Sequence, residues 1–353
     1  MKKFPSVLHI IDSIEPGGAE KVTITLANIF QERGHHVGLL YFNKTKVDLN
    51  RQIMNGVEII HFERGIKYNP LISKNIKNYI NKFDIIHIHL RYNLKYYCFL
   101  NFFHRFNKLV VFHDHFGNIM NDESISWFEK LYMKNTVYVC VSHSLMNWAK
   151  RNGFKRIFLF ENIIIREKNL YSNNNSDRMI IVGNIHERKN QIFALRLLKR
   201  ILQHNNVCLD IYGKIVDVNY YSTLRNYIHK NNLDNNVKFI FNCTQIQKIL
   251  HKYSIAIHCS HSESGPLVLL EYMAQGLPFV TKNTGQVINY LKPELDYFII
   301  NDFSIEHWVD AIELVQSKPQ NELKGKMINI FYQICSPDNY YKKCLRIYTE
   351  NTP

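Results

Sequence analysis

The chain has 353 residues, 46% of them hydrophobic, which exceeds one small core and fits two domains of ordinary size. Its formal charge of +14 favours polyanionic partners such as phosphorylated substrates or an anionic membrane surface. No zinc-finger spacing or basic–aromatic RNA-binding signature accompanies that charge, and no apolar run approaches the roughly 20 residues of a membrane span, so nucleic-acid binding and bilayer-spanning classes are set aside.

From the N-terminus, MKKFPSVLHIID has a basic pair and only a short apolar run before GGAEK, which indicates a first core strand rather than a signal peptide. VLHII (7–11) is that strand. Residues 20–33, EKVTITLANIFQER, show helical spacing, closed by Gly34 as a C-terminal cap. VGLLYF (37–42), DIIHIHL (84–90), LVVFH (109–113) and VYVCV (137–141) are further strands, each followed by a helix-length stretch. Apolar runs separated by helices predict a parallel sheet covered on both faces. The polar stretch YSNNNSDR (171–178) is the expected linker.

Strand–helix units then restart with MIIVG (179–183), VCLDIYG (207–213), VKFIF (237–241), SIAIHC (254–259) and PFVT (278–281). Thr244 and Gln247 have capping-box spacing and predict a helix between the third and fourth of these. The expected architecture is two doubly wound α/β domains, residues 1–170 and 171–334, followed by a helical tail at 335–353 that packs on either domain. Ligands in such folds bind outside the carboxyl ends of the strands, and an interdomain cleft is the default site. Seven scattered cysteines form no C-x-x-C pair; Cys140 and Cys259 sit in strand-like runs as small apolar groups, which suits a reducing cytoplasm.

The most informative stretch is HSESGPLVLLEYMAQGLPFV (261–280). HSES forms a loop at a strand's carboxyl end, and Gly265 permits a tight backbone. Pro266 suits the first helical position, and Gly276 with Pro278 stops the helix near Gln275. A helix start there presents free N–H groups and a positive dipole end, an anion site suited to a diphosphate. Glu271 lies more than a turn into the helix. With Gln275 it could form a solvated polar face, but the helix is apolar almost all round, and a buried carboxylate needs a donor such as a sugar hydroxyl.

SESGPLVLLEYMAQGLPFV resembles the E-x7-E segment of retaining glycosyltransferases with the GT-B fold, in glycosyltransferase family 4 (glycosyl transferases group 1). The resemblance implies two Rossmann-like domains facing across a cleft, with acceptor bound by the first and nucleotide-sugar by the second. It implies that Glu271 binds the ribose, Glu263 faces the donor sugar, and the amides of Gly265, Leu267 and the Pro266 helix start meet the diphosphate. IIVGNIHERKNQ (180–191) resembles the segment where a strand ends in Gly183 and Lys189 offsets charge on the leaving diphosphate; Asn184 stands where the family often has Arg, so that either Arg188 substitutes for it or phosphate binding is weaker. EPGGAEK (15–21) resembles the N-terminal Gly-Gly loop, implying that Gly17 and Gly18 bring acceptor and phosphates together. His113, in LVVFHDHFG, lies in the frame of the histidine beside the reacting centre.

HIH at 87–89 and HDH at 113–115 have His-x-His spacing, but no acidic cluster completes a metal shell, so neither metal nor cofactor is expected. RYNLKYYCFLNFFHRFNK (91–108) is either a core helix or an interfacial surface with Arg91, Lys95, Arg105 and Lys108 toward anionic lipid. The expected activity is retaining sugar transfer from a UDP- or GDP-linked donor to a hydroxyl of a glycan or lipid-linked acceptor, in bacterial surface polysaccharide synthesis at the inner face of the membrane. A nucleotide-sugar epimerase, or a non-catalytic binding protein on the same fold, is the alternative.

Overall fold

The structure, a computed structural model, describes residues 4–65, 72–117, 119, 122–167 and 177–350. It forms two compact units. One runs through Ile165 and resumes at Cys335; the other is Arg166–Ile334. Most of the stretch 171–178, expected as the linker, lies outside the described residues.

The first unit alternates strands and helices: β1 (Val7–Ser13), α1 (Gly18–Glu32), β2 (Val37–Asn43), β3 (Glu58–His61), α2 (Ser73–Ile80), β4 (Ile85–His89), α3 (Arg91–His104), β5 (Leu109–Asp114), α4 (Trp127–Lys134), β6 (Val137–Cys140), α5 (His143–Arg151) and β7 (Ile157–Leu159). Among the described residues they build a seven-stranded, all-parallel sheet in the order β3-β2-β1-β4-β5-β6-β7. Strand periodicity then sorts the faces. Leu8, Ile10, Ile86, Ile88 and Phe112 join Ile76, Ile80, Leu94, Tyr97, Leu145 and Trp148 in one apolar core. His9, His87, His89 and His113 alternate with them, so they point to the opposite face. There the last helix, α12 (Pro337–Glu350), lies beside α1, with the Tyr348 and Phe30 rings 5.3 Å apart.

The second unit repeats the plan with β8 (Arg178–Val182), α6 (Gln191–Ile201), β9 (Cys208–Tyr212), α7 (Val218–Lys230), β10 (Val237–Ile240), β11 (Ile255–His258), α8 (Leu267–Gln275), β12 (Phe279–Lys282), α9 (Ile288–Leu291), β13 (Ile299–Ile300), α10 (Ile305–Ser317) and α11 (Gln320–Ile334). Its parallel sheet runs β10-β9-β8-β11-β12-β13. The chain order reverses between β8 and β11, so the loops that leave those two strands diverge and open a crevice at their carboxyl ends.

Local chemistry explains the helix ends that matter. Ser142 accepts the Leu145 N–H and starts α5, and Asp217 does the same for α7 through Tyr220. Thr244 and Gln247 do not open an α-helix. Residues there form two short 3-10 turns, Ile246–Lys248 and Leu250–Lys252, and the Gln247 side chain instead accepts the Glu167 N–H and the Gln275 Nε2–H.

Candidate functional site

In the second unit, β8 and β11 deliver two loops to the reversal point. After β8, Gly183 donates its N–H to Tyr212 O at 2.8 Å, and the chain turns through a 3-10 turn at Glu187–Lys189. His186 caps that turn by accepting the Arg188 N–H at 3.1 Å. After β11, the loop 259–266 is stitched to it: His261 N–H donates to Arg188 O, and Cys259 Sγ lies 3.2 Å from Asn190 O. A third loop, after β12, accepts the Glu263 N–H on Thr284 Oγ1 and donates the Gln286 N–H to Ser264 O.

These loops bring Lys189 and Glu263 together, with Lys189 Nζ donating to Glu263 Oε1. Their side chains are only 22% and 9% exposed. His258, at the end of β11, places Nε2 3.5 Å from the same oxygen, while its Nδ1 is held 2.9 Å from Thr281 Oγ1. Burial alone would raise the Glu263 pKa, but Lys189 and His258 outweigh it and hold the carboxyl well below its ordinary value. The group is therefore an anion at neutral pH, fixed by a cation rather than by water.

Gly285 makes the third loop possible. Its φ is +86°, and a Cβ there would meet Pro266 Cδ at 2.6 Å and Glu263 Cβ at 3.1 Å. Only a residue without a side chain lets this loop close on the turn that carries Glu263. Gly213 plays the same part beneath Gly183, where an added Cβ would lie 2.0 Å from Gly183 O. At Gly183 itself an added Cβ would meet only the Lys189 stem, at 3.5 Å, so protein packing does not require that glycine.

Pro266 is the N-cap of α8, one position earlier than expected, and Leu267 is the first helical residue. The helix mouth therefore opens directly beside the Glu263 loop. Eight of the nine residues of α8 are buried, including Glu271 at 5% exposure and Gln275. Glu271 and Gln275 do not form a solvated stripe: Gln275 Nε2 donates to Gln247 Oε1 and Glu167 O. Gly276 ends the helix at φ +70°. Arg188 adds a further donor, since its buried Nε has no hydrogen-bond partner among the described residues.

Gly183, Arg188, Lys189, Glu263, Gly265, Pro266, Leu267 and Glu271 thus all belong to the loops and helix at one sheet edge of the second unit. Gly17, Gly18 and His113 belong to the first unit. Gly17 is the N-cap of α1 in an extended conformation, with Gly18 the first helical residue, directly after β1. His113 is fully buried near the end of β5, stacked 4.2 Å from His115 and 5.5 Å from His87. Burial holds His113 well below the ordinary histidine pKa and lowers His115 to about 4. Both rings are neutral at pH 7, so an electrostatic role for His113 as a cation is not available to it.

Sequence reasoning missed His258 and Thr281, and it read TGQVINYL (284–291) as resembling the family's Gly-rich turn without giving Thr284 or Gly285 a role. The strand-end position of His258 was the available signal, since side chains that end parallel strands face the crevice. Arg91 follows the core-helix reading of 91–108 rather than the interfacial one. It turns inward, giving Nε and Nη2 to buried Asp114, and its guanidinium lies over the Phe116 and Trp148 rings, so it does not face lipid.

Two all-parallel, helix-covered units in tandem, the second with an ion pair and a buried acidic helix at its reversal point, define a GT-B-type architecture. Sequence models of sugar-transferring enzymes match both units: "Glycosyltransferase Family 4" over residues 16–167 and "Glycosyl transferases group 1" over residues 163–333. The chain belongs to this family of GT-B glycosyltransferases. Among characterised relatives, the Escherichia coli UDP-Gal:alpha-D-GlcNAc-diphosphoundecaprenol alpha-1,3-galactosyltransferase is 25% identical over 172 residues, which cover 48% of this chain and 43% of that protein. Among solved structures, Anabaena HepE in complex with UDP and glucose superposes with a TM-score of 0.82 at 17% identity, over 98% of this chain and 100% of the other. S. aureus TarM in complex with Fondaparinux, alpha-GlcNAc-glycerol and UDP gives 0.78 at 11%, over 98% and 99%. At these identities the structural likeness carries the fold.

Proposed function

We propose that the protein is a retaining glycosyltransferase that moves a sugar from a UDP- or GDP-linked donor to a hydroxyl of a glycan or lipid-linked acceptor in bacterial surface polysaccharide synthesis. The observation that carries this reading is the buried Lys189–Glu263 pair beside the mouth of α8, with buried Glu271 farther along the same helix. Bound diphosphate takes up the N–H groups at the start of α8 and the Arg188 Nε donor. Lys189 is then shared between Glu263 and the phosphate, and Glu263 is released to accept hydrogen bonds from the donor sugar. Glu271 accepts from the ribose hydroxyls.

As the glycosidic bond lengthens, negative charge grows on the diphosphate, where Lys189, Arg188 and the helix dipole already point. The acceptor hydroxyl, bound by the first unit with the Gly17–Gly18 loop and His113, attacks from the face that the diphosphate leaves and passes its proton to the departing phosphate oxygen, and the anomeric configuration is kept. The relatives support the chemistry: the named galactosyltransferase uses UDP-Gal and a diphosphoundecaprenol acceptor, and HepE holds UDP and glucose.

A lipid-linked acceptor accords with the surface of α3. Phe102 and Phe103 are 73% and 63% exposed, next to exposed Arg105, and no described helix is long and apolar enough to cross a membrane. Rings beside a cation suit an interfacial contact with anionic lipid. Flotation with anionic vesicles should carry the protein, and Phe102→Ser with Phe103→Ser should release it.

The deciding experiment screens UDP- and GDP-sugars by thermal shift, then follows the product anomer by NMR with and without acceptor. Stabilisation by one nucleotide-sugar, and an α-linked product from an α-linked donor only when acceptor is present, supports the reading. Donor epimerised without acceptor would refute it.

A further inference from the structure

We propose that His9, His87 and His89 form a binding site for a late first-row transition-metal ion, of the zinc class, inside the first unit. Each of the three offers one ring nitrogen, and the three nitrogens lie within 4.8 Å of one another. The backbone fixes this convergence: the β1–β4 register sets His9 directly against His87, and strand alternation puts His89 on the same face. All three rings are at most 1% exposed.

Distances and partners fit a ligand set. His9 Nδ1 lies 3.2 Å from His89 Nε2. Two nitrogens on one tetrahedral zinc, each at 2.0–2.1 Å, stand about 3.3 Å apart. Metal-bound histidines usually hold their other ring nitrogen against an outer partner. His87 Nδ1 lies 2.6 Å from the Tyr348 hydroxyl, and His89 Nδ1 lies 3.2 Å from His115 Nε2. That leaves two ring nitrogens of the trio, His87 Nε2 and His9 Nε2, buried and without a hydrogen-bond partner among the described residues. Buried nitrogens are seldom left so, and a metal ion would use the lone pair.

Burial lowers His9 to about 3 and places His87 and His89 well below the ordinary histidine value. The rings are therefore neutral, the ligating form. An all-imidazole set suits zinc, nickel, cobalt or copper and is poor for magnesium or calcium, which require oxygen. A second trio, His89, His113 and His115, shares His89 and includes the less buried His115. The fully buried trio, on two hydrogen-bonded strands, is the better-fixed site. The ion would pin β1 to β4 and, through Tyr348, to α12. The donor residues of the proposed transfer reaction lie in the other unit, while the His113 ring lies 5.5 and 5.4 Å from those of His87 and His89.

The test uses untagged, full-length protein. Zinc is added, excess is removed by dialysis, and retained metal is counted by plasma mass spectrometry; cobalt is titrated in parallel and followed by its visible absorption. The expected result is one metal per chain, with intense tetrahedral cobalt bands that zinc abolishes. X-ray absorption of the zinc form should show a low-coordinate nitrogen shell at roughly 2.0–2.1 Å. His87→Gln with His89→Gln should lose the bands. Tyr348→Phe, which keeps the ring packing, should weaken cobalt binding by roughly 10- to 100-fold. Negligible retained zinc with no cobalt bands, an oxygen-dominated six-coordinate shell, or unchanged binding in a folded Tyr348→Phe protein would each overturn the proposal.

Discussion

At the scale of single residues, the site rests on one buried ion pair. Lys189 and Glu263 neutralise each other at the carboxyl edge of the second sheet, and His258 stands behind the same carboxylate oxygen. Replacing Glu263 with Gln leaves the Lys189 ammonium poorly matched in a half-buried place, and breaking such a pair costs about 3 kcal/mol. Because the Glu263 pKa is lowered on folding, its stabilisation is complete above the ordinary carboxyl value of 4.5 and fades as pH falls below it. Thermal melts should therefore show wild type above Glu263→Gln at pH 7, with the gap closing toward pH 3. In the proposed reaction Lys189 meets the leaving diphosphate, and Lys189→Ala removes that cation. Its kcat should fall by about 100- to 1,000-fold, the scale of a lost charge-stabilising donor, with a smaller change in KM. Steady-state kinetics with the donor found by thermal shift measures both.

At the scale of elements, α8 and the loop after β12 act together, and the glycine at the contact decides whether they meet. Gly285→Ala adds a methyl 2.6 Å from Pro266 Cδ and strains a backbone at φ +86°. A loss of about 1–3 kcal/mol, read as a lower melting temperature together with weaker donor binding, is the expected outcome. Arg105 shows the reverse case. It ends α3 in the left-handed region at φ 50°, which glycine occupies more readily, so Arg105→Gly should hold or raise the melting temperature. The sequence made α8 legible because its stop signal, Gly276 and Pro278, and its apolar run stand side by side in the chain. Glu263, Lys189 and Glu271 were pointed to by the resemblance of the E-x7-E segment and of IIVGNIHERKNQ to the family. The sequence concealed His258, and it showed a Gly-rich turn at 284–291 but not its contacts, because these come from three loops meeting in space and nothing local at Gly285 announces Pro266 as its neighbour. The Thr244–Gln247 pattern misled for a related reason. Gln247 is drawn into a tertiary bond with Gln275, and tertiary partners override a local capping signal.

At the scale of the whole molecule, both sheets follow from alternating apolar strands and helices. The return of α12 to the first unit does not follow from the tail's own residues. An amphipathic helix states that it needs an apolar surface, not which one. The structure answers through Tyr348 on His87, through Tyr341 on His35 at 2.8 Å, and through the ring contact with Phe30. The histidine face was likewise only half visible. HIH and HDH could be read from the chain, but their convergence with His9 depends on the strand order β1-β4-β5. Deleting residues from Cys335 onward should therefore destabilise the first unit more than the second, since it uncovers the face that carries His87 and Phe30. Hydrogen exchange resolved by peptide would show faster exchange in β1 and β4 while β8 and β11 keep their protection.

The proposed function requires that the second unit hold a nucleoside diphosphate, with the mouth of α8 on the phosphates and Glu271 on the ribose. Calorimetric titration of UDP and GDP into wild type and Glu271→Ala, both shown folded by circular dichroism, tests it most directly. We expect one of the two nucleotides to bind wild type and to bind Glu271→Ala at least about 10-fold more weakly, as loss of charge-assisted hydrogen bonds implies. Equal affinity in the two proteins would rule out Glu271 as the ribose ligand.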